Sequence, residues 1–357
     1  MRVAVLGAGH GGTAMAAHLA GLGHRVRLYD KFLPAVEGII REGCIHLKGA
    51  LGDSRVALDY AGVELGKAVS GAEVLMVVTP AFAHRDIAEG LAPLLPDETL
   101  TVLHPGRTGG ALEFFRTLTS HSPGKRPFVA EAQTLLYACR RTGPAEATVY
   151  GVKNRVSFAA FPASRNGEAA KVLGRALPGF SSASSVLETS LLNIGAVFHP
   201  APTLLNAARI EDTRGAFEHY KQGISPAVAR VLERIDRERV AIAEALGVPT
   251  RTTVEWLEDV YGVKGRNLYE AVQANPVYSG IMAPPSLDAR YITEDVPMSL
   301  VPLSELGRLA GVFTPGMDAV IELADIVHGR NYRREGRSLE RMGIQGLSPG
   351  ELVKFVL

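Results

Sequence analysis

A glycine-rich stretch near the N-terminus contains the residue types that hold a phosphate group. Gly7, Gly9 and Gly12 form the pattern G-x-G-x-x-G directly after an apolar run, and Asp30 follows a second one. The first glycine permits a tight turn, the second lets a pyrophosphate approach the backbone, and the third lets helix and strand pack closely. N–H groups at the start of the helix attract phosphate, and the carboxylate accepts hydrogen bonds from ribose hydroxyls. This order predicts a dinucleotide site; a glycine-rich turn with a surface aspartate is the alternative.

The residues around the glycines indicate which dinucleotide is bound. Asp30 would repel a 2′-phosphate, so NAD(H) is favoured, while Lys31 beside it weakens that preference and keeps NADP(H) as the alternative. Thr79 and Pro80 follow the apolar run AEVLMVV, at the sheet edge where doubly wound folds bind ligands. The predicted cofactor site comprises Gly7, Ala8, Gly9, His10, Gly11, Gly12, Asp30, Lys31, Thr79 and Pro80.

His199 is the candidate for proton transfer in the second half of the chain. The largely apolar stretch 188–202, ETSLLNIGAVFHPAP, predicts a buried helix that Pro200 ends at His199. The helix C-terminus would favour a charged imidazole, which can exchange a proton near neutral pH. A packed core histidine without a chemical role is the alternative.

Three charged residues stand together further along, before two prolines. Arg290, Glu294 and Asp295 fall in a predicted loop or helix entry. An arginine can bind a carboxylate through two hydrogen bonds, and a carboxylate can orient a histidine. A surface ion pair is the alternative.

The elements that must position these residues differ between the two halves. Short apolar runs at 2–6, 25–29, 72–78, 100–103 and 128–130 alternate with helical segments, which predicts a parallel sheet. From about residue 185, helix starts at Ser225-Pro226, Thr314-Pro315 and Ser348-Pro349 dominate. The prediction is an α/β chain: a Rossmann-type doubly wound parallel sheet in domain 1–183, and an all-helical substrate domain over 184–357.

Composition argues against several classes of protein. The 357 residues carry a net charge of +1, which argues against nucleic-acid and membrane partners. Two cysteines, Cys44 and Cys139, are too few for a disulfide framework and match no zinc motif, so no metal is predicted. With no secretory signal pattern and no apolar run of about 18 residues, a cytoplasmic protein is expected.

Several segments together resemble the opine dehydrogenase family, the octopine/nopaline dehydrogenase group. The resemblance spans nearly the whole chain, and the later segments are the more specific ones. It is carried by LGAGHGG (6–12), VTPAFAH (78–84), LHPGRTGGALEF (103–114), AEAQTLLYACR (130–140), AVFHPAPTLLN (196–206), YKQGISPAVARVLERIDRER (220–239) and RYITEDVPMSLVPLSELG (290–307).

The resemblance implies an NAD(P)H-dependent oxidoreductase acting on CH–NH bonds. Such enzymes condense an amino acid with an α-keto acid, by default pyruvate, and reduce the imine reversibly to a secondary-amine dicarboxylate. His199 would be the catalytic acid/base and Asp295 its partner. Substrate contacts would lie at Arg107, Thr134, Cys139 and Arg290.

One position departs from the family pattern as we know it. Gly195 stands four residues before His199, where related enzymes often have asparagine, so a substrate contact is missing or supplied elsewhere. Two other functions stay open: a keto- or hydroxy-acid dehydrogenase, similar in plan to ketopantoate reductase or glycerol-3-phosphate dehydrogenase, and an NAD(H)-binding sensor without turnover. Helical second domains of this kind often pair, so a homodimer is one candidate, and the sequence leaves the oligomeric state open.

Overall fold

The computed structural model describes residues 1–96 and 98–357. The chain divides into two compact units, the first formed by 1–190 with 355–357 and the second by 191–354. The domain boundary predicted after residue 183 stays a prediction.

The first unit contains two sheets. Its strands are β1 Arg2–Leu6, β2 Arg25–Tyr29, β3 Cys44–Gly49, β4 Ser54–Ala57, β5 Tyr60–Gly62, β6 Val74–Val77, β7 Leu100–Leu103, β8 Phe128–Ala132, β9 Tyr137–Gly143, β10 Glu146–Val152, β11 Val156–Phe161 and β12 Phe180–Ser182.

The larger sheet has the predicted doubly wound plan. Within the described chain its eight strands follow the order β12-β11-β8-β7-β6-β1-β2-β5. Neighbours pair in parallel except β11, which runs antiparallel to β8. β1, β6 and β7 lie in the interior and are almost wholly apolar and buried, as parallel strands covered on both faces require. The predicted Rossmann-type architecture is confirmed.

The smaller sheet was not predicted. Its order is β4-β3-β10-β9, with β3 and β10 parallel and the other pairs antiparallel. β9, YACRRTG, alternates between buried or half-buried and exposed residues, because one face packs inward and the other meets solvent. Its arginines hide the apolar pattern on which the sequence prediction relied.

Helices of the first unit connect the strands. They are α1 His10–Gly21, α2 Leu33–Glu42, α3 Leu65–Val69, α4 His84–Leu91, α5 Gly110–His121 and α6 Asn166–Ala176, and α7 Val186–Leu191 follows at the end of this unit.

The second unit is helical. Its helices are α8 Gly195–Phe198, α9 Pro200–Leu205, α10 Ala207–Thr213, α11 Pro226–Ala245, α12 Thr253–Tyr261, α13 Leu268–Ala274, α14 Arg290–Thr293, α15 Val301–Ala310, α16 Pro315–His328, α17 Tyr332–Glu335 and α18 Pro349–Val356. The last two residues of α18 count with the first unit. The predicted starts agree with the structure: Ser225 accepts the Val228 N–H, and Ser348 and Glu351 form a capping box. Across the described residues, no helix is both long and apolar enough to cross a membrane.

The prediction of a single buried helix over 188–202 is wrong. The stretch forms α7, a turn at 192–194, α8 and α9, and His199 lies between the last two. Pro200 begins α9, where its missing N–H costs no intrahelical bond, rather than only ending the preceding helix. His199 therefore caps a short helix at its C-terminus and another at its N-terminus, and the two helix ends act on its charge in opposite directions.

Candidate active site

The glycine loop after β1 is closed on one side and open on the other. Gly7 has φ +108, and a Cβ there would lie 2.8 Å from the Val78 carbonyl oxygen. A Cβ on Gly12 would lie 1.7 Å from the Gly7 carbonyl oxygen, so α1 crosses the loop at a distance that no side chain permits. A Cβ on Gly9 meets no atom within 4 Å. The loop therefore has the open approach at Gly9 that a pyrophosphate needs.

Asp30 at the end of β2 is bonded to this loop. Its Oδ2 accepts the Ala8 N–H at 2.7 Å and its Oδ1 accepts the Phe32 N–H at 3.0 Å. An ionised carboxylate has about four acceptor positions, so ribose hydroxyls can still bind. The neighbouring cation Lys31 pairs with Asp86 at 2.8 Å, with both side chains exposed.

The smaller sheet supports the other side of the loop, through a residue that the sequence did not single out. The Arg141 backbone N–H donates to His10 Nδ1 at 3.0 Å, and its Nη1 donates to the Ala8 carbonyl at 3.0 Å. A Cβ on Gly11 would lie 2.8 Å from Leu135 Cδ2, so this glycine also packs closely. An arginine inside a polar strand carries no sequence signal for such a role.

Thr79 and Pro80 lie after β6, beside the glycine loop. A Cβ on Gly7 would lie 3.0 Å from the Thr79 methyl carbon. Thr79 Oγ1 is buried and has no hydrogen-bond partner among the described residues. A buried hydroxyl of this kind fits a site in which a ligand supplies the partner. Together with the open face at Gly9, it makes the predicted residues a good fit to a dinucleotide.

The predicted substrate residues of the first unit lie in three places. Arg107 has φ +60 in the loop between β7 and α5, and Thr134 lies half-buried between β8 and β9. The Cys139 thiol lies 3.5 Å from the His10 carbonyl oxygen, and burial raises the pKa of this thiol. The structure thus places Cys139 next to the glycine loop, and its role in an amino-acid pocket stays a prediction.

His199 and Asp295 form a direct pair in the second unit. His199 Nδ1 lies 2.9 Å from Asp295 Oδ2, and the two side chains are 19% and 1% exposed. Asp295 begins a π-helical turn over Val296–Leu300 that continues into α15. Because a buried carboxylate accepts the Nδ1 proton, Nε2 is the nitrogen left for proton exchange.

Aromatic rings hold the face of His199. Tyr291 stacks on the imidazole with 4.3 Å between centroids and 11° between planes, and it also contacts His219 at 4.8 Å. Burial and, to a lesser extent, the nearby His199 together lower the pKa of His219 to about 4. A neutral His219 can donate to the Phe198 carbonyl, 3.3 Å from its Nε2. The sequence analysis did not select either ring.

Arg290 has a carboxylate partner on its own helical turn. Its Nε donates to Glu294 Oε2 at 2.7 Å, and its Nη2 lies 2.5 Å from the same oxygen. The Arg290 side chain is 58% exposed, whereas that of Glu294 is 1% exposed. The buried Glu294 carboxylate thus orients the Arg290 guanidinium, and the exposed part of the guanidinium stays accessible to a ligand carboxylate.

The fold and the glycine loop are typical of an NAD(P)-dependent oxidoreductase, with NAD(H) favoured and NADP(H) as the alternative. A family model for the alpha-helical domain of NAD/NADP octopine/nopaline dehydrogenases matches residues 182–328, and one for the N-terminus of NAD-dependent glycerol-3-phosphate dehydrogenase matches 2–106. An opine dehydrogenase of Arthrobacter sp. (strain 1C) is 41% identical over 345 residues, covering 97% of this chain and 96% of that protein. The chain belongs to the opine dehydrogenase family.

Solved structures agree in fold. Octopine dehydrogenase with NADH and L-arginine superposes with a TM-score of 0.80 at 22% identity, covering 99% of this chain and 98% of that one. The same enzyme with NADH and pyruvate gives 0.79 at 23% identity, with the same coverage. Yersinopine dehydrogenase bound to NADP+ gives 0.75 at 16% identity, covering 99% and 97%.

Proposed function

We propose that this enzyme condenses an amino acid with an α-keto acid, pyruvate in the first instance, and reduces the imine to a secondary-amine dicarboxylate. The observation that carries the proposal is the 41% identity to an opine dehydrogenase along nearly the whole chain. Octopine dehydrogenase, a more distant relative in fold, is described with NADH, L-arginine and pyruvate as bound molecules. An amino acid and a keto acid are therefore the substrates to test first.

His199 is proposed as the proton donor and acceptor. NADH supplies the hydride that reduces the imine carbon. In the condensing direction, a protonated His199 donates a hydrogen bond through Nε2 to the keto oxygen, which polarises the C=O bond before this oxygen leaves as water. The same nitrogen can donate to the imine nitrogen and polarise the C=N bond for hydride transfer. Asp295 accepts the Nδ1 proton at 2.9 Å, which fixes the tautomer and stabilises the imidazolium.

Cationic and polar groups are proposed to bind the substrate carboxylates. Arg290, oriented by Glu294, is the main candidate because part of its guanidinium faces solvent. Arg107 is the second cation, Thr134 a keto-acid contact and Cys139 part of the amino-acid pocket. These residues do not identify the side chain of the amino-acid substrate.

The decisive experiment measures NADH oxidation with pyruvate against each of the twenty amino acids. The proposal requires turnover that depends on an added amino acid, and a product containing both carbon skeletons by mass spectrometry. NADH oxidation by pyruvate alone would instead establish a keto-acid reductase. Binding of NADH without turnover for any pair would support a sensor.

A variant test addresses the proton-transfer role separately. His199→Ala should lose most turnover while binding NADH as the unmodified protein does, because the imidazole belongs to the second unit and the glycine loop to the first. Unchanged turnover would overturn the assignment of His199.

A further inference from the structure

Asp295 has a second carboxylate oxygen, and a hydroxyl group binds it. Ser299, four residues further along the π-helical turn, donates its Oγ–H to Asp295 Oδ1 at 3.2 Å. Asn193, in the turn before α8, donates its Nδ2–H to Ser299 Oγ at 2.8 Å. Asn193, Ser299 and Asp295 are 3%, 0% and 1% exposed. A buried chain of hydrogen bonds thus runs from Asn193 to the partner of His199.

The chemistry of the groups fixes the direction of this chain. An amide NH2 only donates, and an ionised carboxylate only accepts. Ser299 has a single hydroxyl hydrogen, and because its oxygen accepts from Asn193, that hydrogen is left for Asp295. Both Asp295 oxygens then act as acceptors, which requires the proton of His199 to reside on Nδ1. Every donor in the chain therefore favours the tautomer in which Nε2 can exchange a proton.

The backbone conformation brings the hydroxyl to this position. Residues 296–300 form a π-helical turn, wider than an α-helical one, and the Pro297 carbonyl accepts the N–H of Arg337 from outside the turn. Such turns are rare and occur frequently at functional sites. The turn presents Asp295 to His199 through one oxygen while Ser299 holds the other.

We propose that Ser299 and Asn193 are positioning residues for the acid/base pair, acting on His199 through Asp295. The inference rests on the proposed function of that pair. The competing explanation is that two buried polar residues merely satisfy each other in the core, as most buried polar groups do. The two explanations differ in what happens to kcat when folding is preserved.

The first experiment removes the hydroxyl. Ser299→Ala should lower kcat with pyruvate and amino acid on the order of tenfold, since one hydrogen bond to a charged group is lost, and leave KM for NADH within about twofold. Ser299→Thr, which keeps the hydroxyl, should restore most of the turnover. Asn193→Ala should have a smaller effect, because Ser299 still donates to Asp295.

A matched control lies in the next helix. Ser304 is also buried and donates its Oγ–H to Asp318 Oδ1 at 2.6 Å. Ser304→Ala removes the same hydroxyl-to-carboxylate bond away from His199, so it should lower the melting temperature without lowering kcat. Equal kcat for Ser299→Ala and Ser304→Ala would overturn the inference.

A double-mutant cycle separates positioning from packing. If Ser299 acts through Asp295, Ser299→Ala should cost little further kcat once Asp295→Asn is present. An additive tenfold loss in both backgrounds would overturn the inference. If Ser299→Ala does not fold, the same cycle with Asn193→Ala decides. If no amino acid supports NADH oxidation with pyruvate, the proposed function fails. If His199→Ala and Asp295→Asn keep full turnover, the assignment of the acid/base pair fails. If they lose turnover while Ser299→Ala and Asn193→Ala keep the full kcat, only this inference fails.

Discussion

Replacing Asp295 with asparagine tests the acid/base pair most directly. The side chains are similar in size, so the buried position, 1% exposed, stays filled. An asparagine that keeps its oxygen toward Ser299 presents an N–H to His199 Nδ1 and forces the proton to Nε2. An asparagine that turns over keeps the His199 bond, but then directs an N–H at Ser299, whose oxygen already accepts from Asn193. The first arrangement keeps both bonds but reverses the His199 tautomer, the second removes the acceptor of the Ser299 hydroxyl, and both lose the negative charge.

The size of the effect follows from what else holds His199. Its ring keeps the stacked contact with Tyr291, 4.3 Å between centroids, so orientation is only partly lost. We expect kcat to fall on the order of 10²- to 10⁴-fold, which corresponds to about 3 to 5 kcal/mol of transition-state stabilisation. The lower limit is the rate loss that follows removal of a group that only orients a functional side chain, and the upper limit is the loss that follows removal of the aspartate from a Ser-His-Asp triad.

The assay follows NADH oxidation at saturating substrates, with NADH affinity measured by fluorescence. NADH affinity should be unchanged, since the glycine loop is in the other unit. Asp212→Asn makes the same chemical change at an exposed position of α10 and serves as the control. A fall in kcat of less than about fivefold would refute the pairing of Asp295 with His199 as the basis of proton transfer.

Three further predictions concern the nucleotide loop, the carboxylate site and pH. Gly9→Ala should raise KM for NADH at least about tenfold, because the added methyl occupies the open approach to the loop. Its melting temperature should be unchanged, because this methyl meets no protein atom within 4 Å. Gly12→Ala should instead destabilise the fold, because its methyl would lie 1.7 Å from the Gly7 carbonyl oxygen. Arg290→Lys should raise KM for the keto acid about 10- to 100-fold through loss of the paired donors. Arg308→Lys, which replaces an exposed arginine paired with the half-buried Glu305 on α15, should leave this KM unchanged. Equal KM values for the two variants would remove Arg290 from the site. The pKa of His219 is lowered to about 4 in the folded protein, whereas in the unfolded chain this side chain protonates near 6.5. The unfolded state therefore binds the proton first on acidification, and the free energy of unfolding should fall by about 3 kcal/mol as the pH drops from 6.5 to 4. Urea unfolding should show that His219→Gln loses this part of the acid dependence, and parallel curves for both proteins would contradict it.

Much of the first unit could be predicted because its signals are local. The glycines, the apolar strand before them and Asp30 each act within a few residues, and the structure brings Asp30 to the loop through the Ala8 N–H. The helix starts at Ser225 and Ser348 were equally predictable, since a cap bonds to a backbone N–H three residues away.

The remaining features depend on contacts that no short pattern contains. Arg141 reaches the Ala8 carbonyl across 133 positions of sequence, and Asn193 reaches Ser299 across 106. The break in the predicted helix before His199 follows from the turn at 192–194, which apolar composition did not reveal. The proximity of His199 and Asp295 was inferred from family resemblance, and the structure supplies the atoms that meet.

The π-helical turn over Val296–Leu300 also makes this stretch sensitive to its length. Removing a single residue between Asp295 and Ser299 would close the turn to an α-helical one, because a π-helical turn is an α-helical turn that accommodates one extra residue. The flanking segments would stay in phase, but the Ser299 hydroxyl would follow Asp295 by three residues instead of four. The number of residues in this turn therefore matters as well as their chemical identity, although no functional side chain would have been altered.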